Sequence, residues 1–174
     1  MSIRSGTILI AHPAYSRDNT VILIIESAVT GIMGVTLNQV TQYDMRELMT
    51  QHHIDWQGDR EVYHGGTANP GSLLMLHSDD WYSSNTIVID SGISLSSDHM
   101  MLEKLDMGNT PSWYRMFLGC EYWDVRELEH DIKSSKPKWL ELPYPSQCLV
   151  ESHADDQWSL AVQELSQDVI SNYI

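Results

Sequence analysis

The chain has 174 residues, 42% of them hydrophobic, and a formal net charge of −14, with 24 acids against ten Lys and Arg. That length suits one well-buried core, and we expect one domain over 1–174. The charge repels phosphate backbones, and the few basic residues are scattered from Arg4 to Lys138, which disfavours direct nucleic-acid binding.

No stretch approaches the roughly 18 apolar residues of a membrane-spanning helix, and the N-terminal "MSIRSGTILIAHP" lacks a signal-peptide cleavage pattern. Cys120 and Cys148 lie far apart in apolar surroundings with no C-x-x-C, so both read as reduced, buried thiols. Together these features predict a cytoplasmic protein without a membrane association.

In chain order, "GTILIAHP", "NTVILIIES" and "GIMGVTLNQ" are short Ile/Val/Leu-rich runs bounded by Gly, Asn, Thr and Pro, and they read as three strands. "AVTG" joins the second and third, with Gly31 suited to a tight hairpin. The pattern then changes to a helix in "DMRELMTQHHI", where Asp44 and Glu47 have capping-box spacing and Met45, Leu48 and Met49 share a face. Strand character returns over 61–64, 72–77 and 86–90. A second helix is expected over 98–107, capped by Ser97, with Met101, Leu102 and Leu105 inward and Gly108 as its stop.

"WYRMFLGC" reads as a core strand, and "DVRELEHDIKSS" as a helix with Asp124 and Glu127 in capping-box register and Leu128 and Ile132 inward. The terminal "DDQWSLAVQELSQDVISNYI" spaces Trp158, Val162, Leu165 and Val169 by four, three and four residues, which predicts an amphipathic helix. Strands outnumber helices and are mostly joined by turns. The fold class is therefore α+β with a largely antiparallel sheet.

Nucleotide, hydrolase-elbow and zinc-protease signatures are absent from the sequence. Glu127 and His130 have the i, i+3 spacing of a di-iron carboxylate helix, but the chain offers one such pair where those bundles need two, so an exposed helix face is expected. Adjacent His52 and His53 read as solvated loop residues. No metal and no cofactor are expected. The stretch "EVYHGGTANPGSLLMLH" remains, in which the Gly65–Gly66 pair can turn the chain sharply and present backbone N–H groups between His64 and His77. On its own this reads as a structural turn, a binding cleft or a catalytic site.

Three ordered blocks, "ILIAHPAYSRDNTVILIIESAVTGIMGVTLNQ", "HGGTANPGSLLMLHS" and "PSWYRMFLGCEYWDVRELEHDI", resemble those of the YqgE/AlgH family over residues 6 to about 142. Pro13, Asp18, Gly31, Met33, Gly34 and Asn38 match the first block. Gly65, Gly66, Leu76 and His77 match the second, and Gly119, Trp123, Leu128 and Glu129 the third. The sequence departs from the pattern at Ser27, Thr67, Arg126 and Glu127, which marks a divergent member. The resemblance implies a bifurcated sheet folded toward a barrel with several flanking helices. It also implies a transcriptional-regulator label that carries no established molecular function.

The expected role is a non-enzymatic regulatory domain that uses a protein partner or a small ligand rather than DNA contact. Its cleft is expected from Asn38, His64, Gly65, Gly66, His77, Gly119 and Glu129. The alternative is a hydrolase with His64 or His77 as base and Glu127 or Glu129 as its carboxylate partner.

Overall fold

The computed structural model describes residues 3–90 and 92–173. Met1 and Ser2 of the N-terminal stretch, Ser91, and Ile174 at the end of the expected terminal helix lie outside the described residues. The elements run β1 (Ile8–Ala11), β2 (Val21–Ala28), β3 (Gly31–Thr36), β4 (Val40–Asp44), α1 (Met45–Thr50), β5 (Glu61–His64), β6 (Ala68–Ser78), β7 (Ile87–Asp90), β8 (Ile93–Ser96), α2 (His99–Asp106), β9 (Tyr114–Trp123), α3 (Val125–Lys133), β10 (Trp139–Leu142), α4 (Gln147–Glu151) and α5 (Ala154–Ser171). The fold is α+β, as expected, with a curled antiparallel sheet in the order β10-β1-β2-β3-β9-β6-β8-β7.

The first strands form because their runs are apolar on both faces, the pattern of a sheet covered on each side. Ile8, Ile10, Val21, Leu23, Val35, Phe117, Leu74 and Leu76 fill the inside of the curl, closed by Leu149 and Val150 of α4 and Ala154 and Ala161 of α5. Their neighbours Leu9, Ile22, Ile24 and Ile32 point to the other face and pack under Leu128 of α3 and Trp139. Farther along the same outer surface, Met75, Met116 and Val62 pack against Met45 and Met49 of α1 and Met101, Leu102 and Leu105 of α2.

β9 organises this arrangement. Along one side it pairs with β6 from Tyr114 to Cys120. Along the other it pairs first with β5, in parallel, at Phe117 and Leu118, and then with β3, antiparallel, from Glu121 to Trp123. Gly119 sits at the change of partner with φ +73, a left-handed conformation that favours glycine. The sheet bifurcates there, with β4 and β5 forming the branch.

Several local expectations are corrected. Asp98, not Ser97, caps α2; its carboxylate accepts from the Met101 N–H at 2.9 Å and from the Ser83 hydroxyl at 2.6 Å, and a carboxylate outcompetes a hydroxyl for those donors. Cys148 is exposed on the short α4, whose Leu149 and Val150 take the inward positions, while Cys120 is buried. On α5, Trp158, Val162 and Leu165 pack against the core, but Val169 is exposed. Strands β4, β8 and β10 were not anticipated.

Glycine 119 supplies a direct test of the branch point. A Cβ there would sit 2.4 Å from the Gly66 carbonyl oxygen, whereas one at Gly108, also left-handed at φ +80, would meet nothing within 4 Å. Gly119→Ala is expected to cost about 2 kcal/mol or more in urea unfolding, and Gly108→Ala about 1 kcal/mol, the difference being the backbone clash.

Candidate functional site

The Gly-Gly turn is a crossing of two backbones. The Gly65 N–H donates to the Leu118 carbonyl at 2.8 Å, and the Gly65 carbonyl accepts from the Thr36 N–H at 2.8 Å, so this residue ties β9 to β3 across the branch. A Cβ on Gly65 would lie 2.2 Å from the Gly119 oxygen, and one on Gly66 would lie 2.1 Å from the Cys120 carbonyl carbon. Only glycines allow that approach. His64 ends β5, with its N–H donating to the Gln39 carbonyl at 2.7 Å.

Beside this turn stands Glu121, a half-buried carboxylate that accepts from the Thr67 backbone N–H and feels the His64 imidazole and Lys138. Burial pushes its pKa upward, and these three neighbours oppose the rise.

His77 and Glu129 lie elsewhere, and Asn38, next to the Gln39 that bonds His64, has its side chain engaged away from the turn. The Asn38 side chain is committed to the chain entering β2: its Oδ1 accepts from the Val21 N–H at 3.0 Å and its Nδ2 donates to the Asn19 carbonyl at 2.6 Å. His77 pairs across from Tyr114, whereas Ala68, just after the glycines, pairs across from Cys120. At about 3.3 Å per residue that separates His77 from the turn by roughly 20 Å along β9.

His77 is fully buried and edge-on to Trp81 with ring centroids 5.1 Å apart. Its Nδ1 lies 2.8 Å from the Ser78 carbonyl and its Nε2 2.8 Å from the Ser96 hydroxyl, so both nitrogens are occupied. Because a carbonyl can only accept, Nδ1 carries the proton and Nε2 accepts from Ser96. Glu129 is on α3, 3.8 Å from Lys133, and lines a separate hollow of about 510 Å³ with Ser27, Val29, Ile32 and Arg126. Glu127 and His130 are exposed on the same helix, and His52 and His53 are exposed after α1. The carboxylate that the fold sets beside His64 is thus Glu121, not Glu127 or Glu129.

A different concavity has the features of a small-molecule site. It opens where the start of β5 and the start of β9 diverge, roofed by the link between α4 and α5, and is lined by Asp59, Glu61, Tyr63, Trp113, Tyr114, Arg115, Met116 and His153. Its volume is about 300 Å³, and its walls combine aromatic faces with a few convergent polar groups.

Arg115 dominates it. The guanidinium lies 4.6 Å over the Tyr63 ring and 5.5 Å over the Trp113 ring, and its Nη2 donates to the Ser152 carbonyl at 3.0 Å. Its Nη1 is buried without a hydrogen-bond partner among the described residues. Desolvation holds its pKa below the usual arginine value, countered by Tyr63, Glu61 and Asp59 acting through space. The Tyr63 hydroxyl donates to Glu61 at 3.1 Å, and burial raises the pKa of both Tyr63 and Tyr114.

A model of the AlgH-like family (DUF179) matches residues 8–170. The chain belongs to the AlgH-like family. It is 30% identical over 156 residues to a UPF0301 protein of Marinomonas sp. strain MWYL1, covering 87% of this chain and 82% of that one. It is 30% identical over 174 residues to a UPF0301 protein of Xanthomonas oryzae pv. oryzae, covering 95% and 90%. The solution structure of AlgH from Pseudomonas aeruginosa superposes with a TM-score of 0.76 at 22% identity, covering 92% of this chain and 88% of that chain. A Corynebacterium diphtheriae crystal structure does so at 0.70 and 20% identity, covering 89% and 83%.

In this AlgH-like chain the motif glycines 34, 65, 66 and 119 all sit where another group crowds the backbone. That accounts for them as architecture. Sequence reasoning missed Glu121 and Arg115. The signal available for Arg115 was a lone cation inside the apolar run "WYRMFLGC", a position where burial demands a reason.

The sealed His77 makes a prediction about pH. Burial lowers its pKa below 6.5, so the unfolded chain takes up a proton near pH 6.5 while the native imidazole remains neutral. This contribution to stability is therefore present above pH 6.5 and is lost as the pH falls through the native pKa. Urea midpoints of the wild type between pH 7 and pH 5 are expected to drop more steeply than those of His77→Gln. Parallel slopes would show that His77 is not held neutral.

Proposed function

We propose that this AlgH-like protein is a cytoplasmic regulatory protein that works by binding a small ligand at the Arg115 pocket, with any regulatory effect passing through a protein contact rather than through DNA. The observation that carries the reading is the buried, unpartnered Nη1 of Arg115 in an aromatic-walled concavity of about 300 Å³. A buried donor without an acceptor costs about 1–3 kcal/mol, and a ligand acceptor that reaches the guanidinium relieves that cost.

The disposition of the cations supports the same reading against groove binding. Arg60 is paired with Asp44, Lys133 with Glu129, and Arg4 stacks on Tyr144 and bonds the Pro143 carbonyl. Lys104 donates to the Tyr82 carbonyl and lies over the Tyr82 ring. With a net charge of −14 and Arg4, Arg60, Lys104 and Lys133 committed in this way, the chain is poorly suited to displace counterions from a nucleic acid. The regulator label attached to the family it resembles then points to protein contact.

A thermal-shift screen of the purified protein against small metabolites spanning the main charge classes tests the proposal. At least one compound is expected to stabilise the wild type, by about 2.7 kcal/mol at a hundred times its dissociation constant, and to lose that effect in Arg115→Met. A screen with no hits, or hits retained by Arg115→Met with its fold intact by circular dichroism, would overturn it.

A further inference from the structure

The charge pattern of the Arg115 pocket selects among ligands. Arg115 presents one guanidinium from β9, and Asp59 and Glu61 present two carboxylates from the β5 side. Neither acid is ion-paired with the arginine; both act on it through space. Glu61 accepts from the Tyr63 hydroxyl, and Asp59 accepts from the Glu61 N–H at 3.1 Å, so both carboxylates are held toward this part of the chain by local bonds. The rings of Tyr63 and Trp113 lie against the guanidinium and give the site its apolar surface.

A ligand with only anionic groups would gain Arg115 but face two carboxylates and a chain of net charge −14. A ligand with only cationic groups would gain the acids while leaving Arg115 Nη1 without an acceptor. A molecule carrying one of each satisfies both walls and is neutral overall, so the field of the protein does not repel it. The volume is at the lower end of the range for ligand pockets, which limits the molecule to a small one.

We infer that the pocket binds a small zwitterion of the α-amino-acid kind, with its carboxylate on Arg115, its ammonium toward Asp59 and Glu61, and an apolar or flat side chain against Tyr63 and Trp113. This rests on the reading of the Arg115 pocket as a ligand site. The carboxylate accepts from the planar guanidinium fork, a geometry lysine cannot reproduce. The ammonium has no comparable fixed partner, and its position is set by the combined field of the two acids.

The test is calorimetric titration of the full chain with each of the twenty protein amino acids, followed by two derivatives of the tightest binder: the N-acetyl form, which lacks the ammonium, and the amide, which lacks the carboxylate. At least one amino acid is expected to bind, and each derivative to bind at least about tenfold more weakly, a difference of about 1.4 kcal/mol or more. The penalty for acetylation should vanish in Asp59→Asn/Glu61→Gln, two exposed positions where the substitutions leave the fold intact. The penalty for amidation should vanish in Arg115→Met and shrink in Arg115→Lys, which keeps the charge but not the fork.

Equal binding of the acetylated form to the wild type would overturn the assignment of the acidic wall. If no amino acid binds while some compound of another class binds in an Arg115-dependent way, the zwitterion fails and the ligand reading stands. If nothing of any class binds, both fall.

Discussion

The structure depends on one close approach, the passage of the Gly65–Gly66 backbone against Gly119 and Cys120 of β9. A sheet strand has two edges, yet β9 serves β6, β5 and β3. It can do so only if one edge changes partner part-way along, and the change requires a left-handed residue on β9 and no side chain on the strand that peels away. Gly119 supplies the first and Gly65 and Gly66 the second. The Gly65 carbonyl then stitches the branch back to Thr36 of β3, so the opening is closed by hydrogen bonding and its polar groups are satisfied.

From that branch the rest of the architecture follows. Curling the sheet gives it an inner face closed by α4 and α5 and an outer face long enough for two separate covers, α3 over β1 to β3 and the pair α1 and α2 over β5, β6 and β9. At the other end of the β5–β9 pair, before the pairing at Tyr63 and Phe117 begins, lies the pocket that holds Arg115. Trp113 to Met116 belong to the third family block, whereas none of the motif glycines lines the pocket.

The long, strongly apolar segments were legible in the sequence because burial on both faces leaves little else they could be: β1 to β3, the core of β9, and the helices capped by Asp44 and Asp124. Strands β4 and β8 were not, since "VTQYD" and "ISLS" are short and half polar, and their pairing is decided by neighbours far away in sequence. The candidate site was legible only as a turn. His64 and the glycines do meet, but His77 belongs to a buried hydrogen-bonded cluster and Glu129 to a helix surface, because strand length separates residues that look adjacent in a motif. Glu121 and Arg115 become visible only when β9 is seen to run between two branches.

Arg115 is the residue the fold itself explains least. Its stem fills a position that a methionine of similar length would fill without a charge to desolvate, and burying a guanidinium costs several kcal/mol. The aromatic contacts with Tyr63 and Trp113 return about 0.5–2 kcal/mol each, and the single bond to Ser152 about 1.5–3 kcal/mol, which leaves Nη1 uncompensated. Packing alone would favour an apolar residue here. A cation set between two rings, bonded on one nitrogen and with the other buried and unpartnered among the described residues, is a pre-formed donor, and the proposed ligand site rests on it.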